Sequence, residues 1–243
     1  LDRVFDAQGG ETAAAIVEPL PANYGLLPQR TAWLQHLADR CRGAGALLIF
    51  DEVISGFRVA KTGMAGLVGI RPDLVTYGKV IGGGFPVGAY AGRKDLMDWV
   101  APAGKVYQAG TLSANPIGMR AGLASLKKVD AMDGWTIVDG RAQRFCDRLV
   151  EGFAPLSRPL DVVRHGSIFW IVKRPGAPVR RPDHIPAANS EWFSRFFHAA
   201  IARGVYLPPS SYEVGFVSLA HDEATLATAA DALVAAAREV DTP

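Results

Sequence analysis

A lysine and an aspartate stand where charged side chains are uncommon, each beside a run of apolar residues. Lys79 follows the predicted strand 74–77 and precedes the apolar and glycine-rich run 80–84. An amine in a cramped, apolar position loses solvation, which favours its neutral form, and that form is the nucleophile that condenses with an aldehyde. A lysine after a strand also commonly extends along the surface into solvent, and this residue alone leaves both interpretations open.

The second unusual residue, Asp51, ends the apolar run 46–50, although aspartate is depleted in strands. An ionised carboxylate there is costly unless a cation or several donors meet it. Alternation along a strand places Asp51 and Val53 on one face and Glu52 on the other. Ligands of open parallel sheets bind beyond the carboxyl ends of the strands, where Asp51 lies. An internal ion pair, for example with Arg58, is the structural alternative.

A buried acid and a lysine nucleophile together suit pyridoxal phosphate. The lysine forms a Schiff base with the cofactor, and the acid keeps the pyridine nitrogen protonated so that the ring can take up carbanion charge. The phosphate needs hydrogen-bond donors. Gly110 and Thr111 offer a backbone N–H and a hydroxyl just ahead of a helix predicted to start at Asn115. Such a pair is also common as a plain turn and cap.

The elements that must position these residues alternate between strand and helix in the first half of the chain. Apolar runs predict strands at 13–17, 46–53 and 74–77, and a helix after Pro28 separates the first two. Continuous apolar strands separated by helices predict a parallel sheet covered on both faces, an α/β architecture. The run 82–92 is too rich in glycine for an ordinary strand and indicates a close approach of backbone.

From about residue 131 the pattern becomes that of a smaller α+β domain. Amphipathic helices are predicted at 135–153 and 189–203, and Asp222 is expected to cap a last helix. Strands are predicted at 161–173, 205–207 and 215–219, with a proline-rich loop at 174–188. We therefore expect two domains, residues 1–130 and 131–243.

Composition excludes several classes of function. The 243 residues are 49% hydrophobic and 21% charged, which is ordinary for a globular protein. A formal net charge of +2 gives no reason to expect nucleic acid. No apolar stretch approaches the ~18 residues that cross a bilayer, the two cysteines form no CxxC pair, and the five histidines lack metal-ligand spacing. We expect a cytoplasmic protein that binds no nucleic acid, membrane or metal.

Four ordered segments carry a resemblance to a known family: 18–23, 47–58, 72–93 and 106–116. They are similar to the class III, fold-type I aminotransferases, which use pyridoxal phosphate. Within that family, segments 106–116 and 204–221 most resemble the glutamate-1-semialdehyde aminomutases. The resemblance implies part of the large, mostly parallel-sheet domain of this α/β fold, followed by the smaller α+β domain.

The resemblance also implies roles for single residues around the cofactor. Lys79 forms the Schiff base and then moves protons between C4′ of the cofactor and the substrate. Asp51 pairs with the pyridinium nitrogen, and Val53 packs on the ring. Asn23 donates a hydrogen bond to the phenolic oxygen, although an asparagine here also suits a plain turn.

Three further residues are implied near the phosphate and the substrate. In the family the threonine at the position of Thr111, next to Gly110, binds the phosphate of the neighbouring subunit's cofactor, so a homodimer is part of the site. Glu213 matches an acidic position near the substrate, although a loop carboxylate is commonly just solvated. The substrate implied is a small amino-aldehyde.

The aminomutase reaction turns (S)-4-amino-5-oxopentanoate into 5-aminolevulinate, the tetrapyrrole precursor. The pyridoxamine form of the cofactor gives its amine to the substrate's aldehyde and then withdraws the other amine, so no second keto acid is needed.

Alternatives are a transaminase of ω- or β-amino acids, a non-catalytic relative, and a nucleotide-hydrolysing enzyme. For the last, 47–52 resembles the Mg²⁺-holding strand of P-loop proteins, but Lys79 is followed by Val80 and the phosphate-loop motif fails.

Members of this family also carry an N-terminal segment and the early half of the large domain. That region holds the phosphate loop, the aromatic ring that stacks on the cofactor, and groups that bind the substrate carboxylate. We therefore expect these 243 residues to be the C-terminal part of a longer polypeptide, or of an enzyme whose other part is a separate chain. Alone, they are expected to bind pyridoxal phosphate poorly and not to turn over.

Overall fold

A computed structural model describes residues 1–241 of the chain, which fall into two compact units. The first comprises Leu1–Leu20 and Gln29–Met132, and the second comprises Pro21–Pro28 and the chain from Asp133 onward. The short segment Pro21–Pro28 thus groups with the second unit, whereas the sequence placed it in the first domain. Residues 242–243 of the predicted second domain lie outside the described residues.

A four-stranded sheet forms the centre of the first unit. Its strands, in order across the sheet, are β1 (Ala14–Val17), β2 (Leu47–Asp51), β3 (Leu74–Tyr77) and β4 (Ala89–Gly92). β1, β2 and β3 are parallel, whereas β4 is antiparallel to β3. The expectation that 82–92 contains no ordinary strand is wrong for its last four residues. They form an exposed edge strand, which needs no apolar run because it buries neither face.

The first unit also contains five α-helices among the described residues, and the first two of them supply much of the core beside the sheet. They are α1 (Asp2–Gln8), α2 (Thr31–Ala44), α3 (Gly63–Val68), α4 (Lys94–Met97) and α5 (Pro116–Ala131). The α2 face that carries Leu34, Leu37 and Cys41 packs against Leu48 and Phe50 of β2. Each large side chain buried in this way contributes roughly 1.5–3 kcal/mol. This packing holds β2, and hence Asp51 at its end, in a fixed position.

The second unit packs three helices against an antiparallel sheet. The helices are α6 (Gly134–Phe153), α7 (Asn189–Ile201) and α8 (Glu223–Asp241), and the strands are β5 (Leu160–His165), β6 (Ile168–Lys173) and β7 (Gly215–Phe216). As predicted, Asp222 caps the last helix, because its Oδ1 accepts a hydrogen bond from the Thr225 N–H at 2.8 Å.

Three strand predictions in this unit are wrong in detail. The single strand expected at 161–173 is a hairpin, because Gly166 turns the chain with a φ of 56°. No strand forms at 205–207, where Leu207 is buried in irregular chain directly before two prolines that lack an N–H. The strand expected at 215–219 has only two paired residues.

Specific contacts explain why Pro21–Pro28 groups with the second unit. The Gly25 N–H donates to the carbonyl of Tyr212 at 2.7 Å. Gly25 has a φ of +82°, and a Cβ at this position would lie 2.5 Å from the indole ring of Trp170. The Trp170 ring is itself held by its Nε1–H, which donates to the carbonyl of Ser211 at 2.8 Å. Only glycine allows the chain to lie this close to the tryptophan.

Both cysteines are buried free thiols, one in each unit. Burial raises the pKa of Cys41, and it raises the pKa of Cys146 to about 12. Both side chains are therefore neutral core residues at pH 7. Among residues 1–241, no helix has the length and hydropathy needed to span a bilayer, and no group of three or more His, Cys, Asp or Glu side chains could hold a metal ion.

Candidate functional site

Lys79 lines an open cleft of about 830 Å³ at the end of β3. The other lining residues come from β3, from the turn and edge strand that follow it, and from the chain ahead of and within α5; they include Thr76, Tyr77, Phe85, Tyr90, Gln108, Gly110, Ser113 and Met119. Lys79 has a φ of 47°, in the left-handed region that costs an L-residue roughly 1–2 kcal/mol. Such strain persists only where the surrounding structure imposes it, and it is common at functional sites.

The surroundings of Lys79 differ from the expectation of a cramped, apolar position, because its side chain is exposed. The glycines after it lie against α5 rather than over the amine. A Cβ on Gly83 would lie 2.7 Å from the carbonyl oxygen of Ala121, and a Cβ on Gly122 of α5 would overlap the carbonyl oxygen of Ile81. The close backbone approach that the glycines indicated is therefore an approach between the turn and α5, which leaves the amine facing the open cleft.

Asp51 is half-buried and is held by two neutral donors. Its Oδ1 accepts hydrogen bonds from the Val53 N–H at 3.0 Å and from the Thr76 hydroxyl at 3.1 Å. Thr76 pairs with Asp51 across the parallel β2–β3 ladder and also lines the cleft. Within the part of the chain that the structure describes, Oδ2 takes no hydrogen bond, so the carboxylate can still accept one from a cationic N–H group.

Val53 connects the acid to the lysine. A Cβ added to Gly78 would lie 3.2 Å from Cγ1 of Val53, so the valine side chain packs on the residue directly before Lys79. The fold thus brings Asp51, Val53 and Lys79 to one edge of the sheet, at the carboxyl ends of β2 and β3, as the sequence predicted.

Gly110 and Thr111 lie in the loop that precedes α5. Gly110 lines the cleft, and Thr111 beside it is exposed. The first turn of α5 is capped by Asn115, whose Oδ1 accepts from the Ile117 and Gly118 N–H groups at 3.0 and 3.3 Å. Because the cap already occupies these two helix donors, a phosphate in this region depends on the loop N–H groups and on the Thr111 hydroxyl.

Asn23 and Glu213, the two remaining predicted residues, belong to the second unit. Both are exposed, and the Glu213 N–H donates to the carbonyl of Ser210 at 3.1 Å. Each sits on a loop that the Gly25–Tyr212 hydrogen bond ties to the other. Their proposed contacts with a cofactor or substrate stay predictions.

Sequence reasoning overlooked Glu52, which is fully buried. Its carboxylate accepts from the Ser55 hydroxyl at 3.0 Å and from the N–H groups of Met64 and Ala65 at 2.6 and 2.9 Å. Burial is the larger cause that raises the pKa of Tyr77 in the cleft wall, and the negative charge of Glu52 is the smaller one. The sequence signal for Glu52 is that a second acid follows Asp51 directly in an apolar segment. From that signal, strand alternation predicted only that the two side chains lie on opposite faces.

A sequence profile of the class-III aminotransferases matches residues 1–221. The chain belongs to this family. The glutamate-1-semialdehyde 2,1-aminomutase of Bdellovibrio bacteriovorus is 56% identical over 237 residues, which are 98% of this chain and 56% of that protein. The chain therefore spans little more than half the length of this relative.

Solved class-III and related transaminases share the fold. An omega-transaminase from Sphaerobacter thermophilus superimposes with a TM-score of 0.86 at 31% identity, covering 98% of this chain and 55% of the other. A transaminase with PLP bound gives a TM-score of 0.84 at 26% identity, again over 98% and 55%. The predicted fold-type I aminotransferase architecture is confirmed, and family membership contradicts the nucleotide-hydrolysing alternative.

Proposed function

We propose that the complete gene product is a pyridoxal-phosphate-dependent aminomutase that converts glutamate-1-semialdehyde into 5-aminolevulinate. The observation that carries the proposal is that Asp51, Val53 and Lys79 lie together at the carboxyl ends of β2 and β3, in a chain 56% identical to a protein of that name. The substrate is then a small amino-aldehyde. The cytoplasmic location and the division into domains 1–130 and 131–243 stay predictions.

The residues at this edge fit pyridoxal phosphate by their chemistry. Oδ2 of Asp51 is free to accept from a protonated ring nitrogen, Val53 offers an apolar surface for a ring, and Gly78 adds no side chain that would crowd the valine. Gly110 and Thr111 offer phosphate donors. When bound, the cofactor supplies an electron sink for the carbanion that forms beside the reacting amine.

Lys79 acts as the nucleophile and as the proton carrier in this proposal. Its amine would hold the cofactor through the aldehyde carbon, with loss of water, and once released the same amine would hold and move a proton between C4′ and the substrate carbon. Lys79 is exposed at the cleft wall, and its four-carbon stem is flexible, so the amine would be able to move between two such positions.

Asp51 acts electrostatically. A carboxylate paired with the ring N–H forms a charge-assisted hydrogen bond, stronger than one between neutral groups. The Val53 N–H and the Thr76 hydroxyl, both on Oδ1, fix the plane of the carboxylate and leave Oδ2 directed elsewhere. The acid is therefore oriented before a cofactor arrives, which limits the reorganisation required in the reaction.

The experiment that tests the proposal combines trapping with kinetics. The complete gene product is incubated with pyridoxal phosphate, reduced with borohydride and digested, and we expect mass spectrometry to find the pyridoxyl group on Lys79. We also expect 5-aminolevulinate to form from glutamate-1-semialdehyde with no added amino acceptor. Absence of the adduct would favour the non-catalytic alternative.

A transaminase of ω- or β-amino acids is the second candidate function. The similarity in fold to the Sphaerobacter thermophilus omega-transaminase favours it. The same kinetics separate the two, because a transaminase requires a second substrate that accepts the amine and shows two-substrate behaviour, whereas the aminomutase does not.

We also propose a homodimer in which Thr111 serves the neighbouring subunit's site. Large apolar side chains are exposed in the chain that follows Thr111, namely Leu112 and, on α5, Ile117 and Leu123, each at least half exposed. Clustered apolar exposure of this kind is typical of an interface. Light scattering of the complete gene product should give twice the mass of one chain, and a monomeric mass across micromolar concentrations would contradict the dimer.

A further inference from the structure

Glu52, the residue directly after Asp51, is fully buried. Both oxygens of its carboxylate accept hydrogen bonds. Three donors converge on its carboxylate: the Ser55 hydroxyl and the N–H groups of Met64 and Ala65 at the start of α3. A buried carboxylate with three donors has little freedom to move, because any displacement leaves a buried donor unsatisfied.

The backbone of Glu52 is held as firmly as its side chain. Its N–H donates to the carbonyl of Thr76 at 3.0 Å, and its carbonyl accepts from the Gly56 N–H at 2.8 Å. Thr76 is the same residue whose hydroxyl holds Asp51. Glu52 thus joins the end of β2, the end of β3, the turn 52–56 and α3 at a single point.

The Glu52 carboxylate packs tightly against Gly63. A Cβ on Gly63, whose φ is 60°, would overlap Oε2 and lie 2.8 Å from Oε1 of Glu52. By contrast, Gly69 at the other end of α3 has a similar φ of 69° with nothing within 4 Å of an added Cβ. Both glycines therefore adopt a positive φ that disfavours other residues, but only at Gly63 would a side chain also collide with the Glu52 carboxylate.

We propose that Glu52 is a positioning residue for the site, because it fixes the turn that holds the Asp51 carboxylate and the Val53 side chain at the ends of β2 and β3. The Val53 N–H is the link, since it belongs to this turn and donates to Oδ1 of Asp51. The Glu52 carboxylate itself contacts the first residues of α3. The effect of Glu52 on cofactor binding rests on the proposed function, whereas its effect on the turn does not.

Two variants displace the carboxylate in different ways, each with a matched control. Glu52→Gln replaces one acceptor by an NH₂ group that opposes a backbone donor, and the exposed Glu11→Gln makes the same chemical change away from the core. Gly63→Ala pushes the carboxylate without changing its charge, and Gly69→Ala introduces the same backbone strain without that contact. Gly63→Ala therefore keeps the test valid if Glu52→Gln fails to fold.

The first measurement needs no cofactor. Amide hydrogen exchange on the complete gene product reports the hydrogen bond from Val53 to Asp51, and we expect exchange at Val53 to quicken by about tenfold in Gly63→Ala and Glu52→Gln. The two control variants should match the wild type at this amide. A lower melting temperature with unchanged exchange at Val53 would show that Glu52 is merely structural and would overturn the inference.

The second measurement uses pyridoxal phosphate labelled with ¹⁵N at its ring nitrogen. We expect the two test variants to bind it about tenfold more weakly, and their ring nitrogen to lose its proton about one pH unit lower than in the wild type, because the Asp51 anion is less well placed. Equal affinity and an equal titration in variants and controls would contradict the inference. Failure of the wild type to bind would overturn the proposed function, while exchange at Val53 still decides the role of Glu52.

Discussion

Replacing Lys79 by alanine should lower aminomutase turnover by about 10³- to 10⁴-fold or more, and it should abolish the borohydride-trapped adduct. The physical reason is that the proposed function assigns one amine both the covalent attachment and the proton transfer, and a positioned general base alone contributes about 10²–10⁴-fold. The measurement is formation of 5-aminolevulinate by the complete gene product, with mass spectrometry of the reduced protein.

Two further variants sharpen this test. Lys79→Arg should be as inactive as Lys79→Ala, because a guanidinium keeps its proton and cannot act as the nucleophile. Lys61→Ala is the matched control, since Lys61 is an exposed lysine of the same unit that pairs with Asp130. Such exposed pairs contribute little, so this variant should retain wild-type turnover. Activity of Lys79→Ala within tenfold of the wild type would remove the lysine from the mechanism.

Asp51→Asn should lower turnover by about 10²- to 10³-fold, the usual loss when one preorganised electrostatic contact in a site is removed. Asparagine has nearly the same shape, and its Oδ1 can still accept from the Val53 N–H and the Thr76 hydroxyl. Fold and stability should therefore change little, while the negative charge that the proposal places opposite the ring nitrogen is lost. Turnover and the melting temperature, measured on the same preparation, separate these two effects.

The control for this substitution is Asp98→Asn, which neutralises an exposed carboxylate that pairs with Lys94 on α4. We expect it to match the wild type in both measurements. If Asp51→Asn retained full turnover, the acid would have no electrostatic role. If it instead unfolded the protein, Asp51 would be primarily a structural residue of the β2–β3 ladder.

Local patterns predicted most of the regular structure because they report local causes. The apolar run 74–77 and the face of α2 that carries Leu34 and Leu37 form the expected elements, since each must bury an apolar surface against the sheet. The errors fall where tertiary contacts decide the outcome. β4 is a strand because it pairs with β3 at the sheet edge, and 161–173 is a hairpin because Gly166 adopts a turn conformation.

The residue types and their order alone determined that an acid ends one strand and an amine follows another, and they indicated the family to which the chain belongs. Carboxyl ends of parallel strands meet at one edge, so the sequence placed both residues at the same edge of the sheet, and the structure adds that β2 and β3 are neighbours. Only the tertiary structure decided the rest: the exposure of Lys79, the packing of the glycine-rich turn on α5, and the three donors around Glu52. These depend on which distant segments meet, and segments such as α3 and α5 lie far along the chain from the residues that they contact.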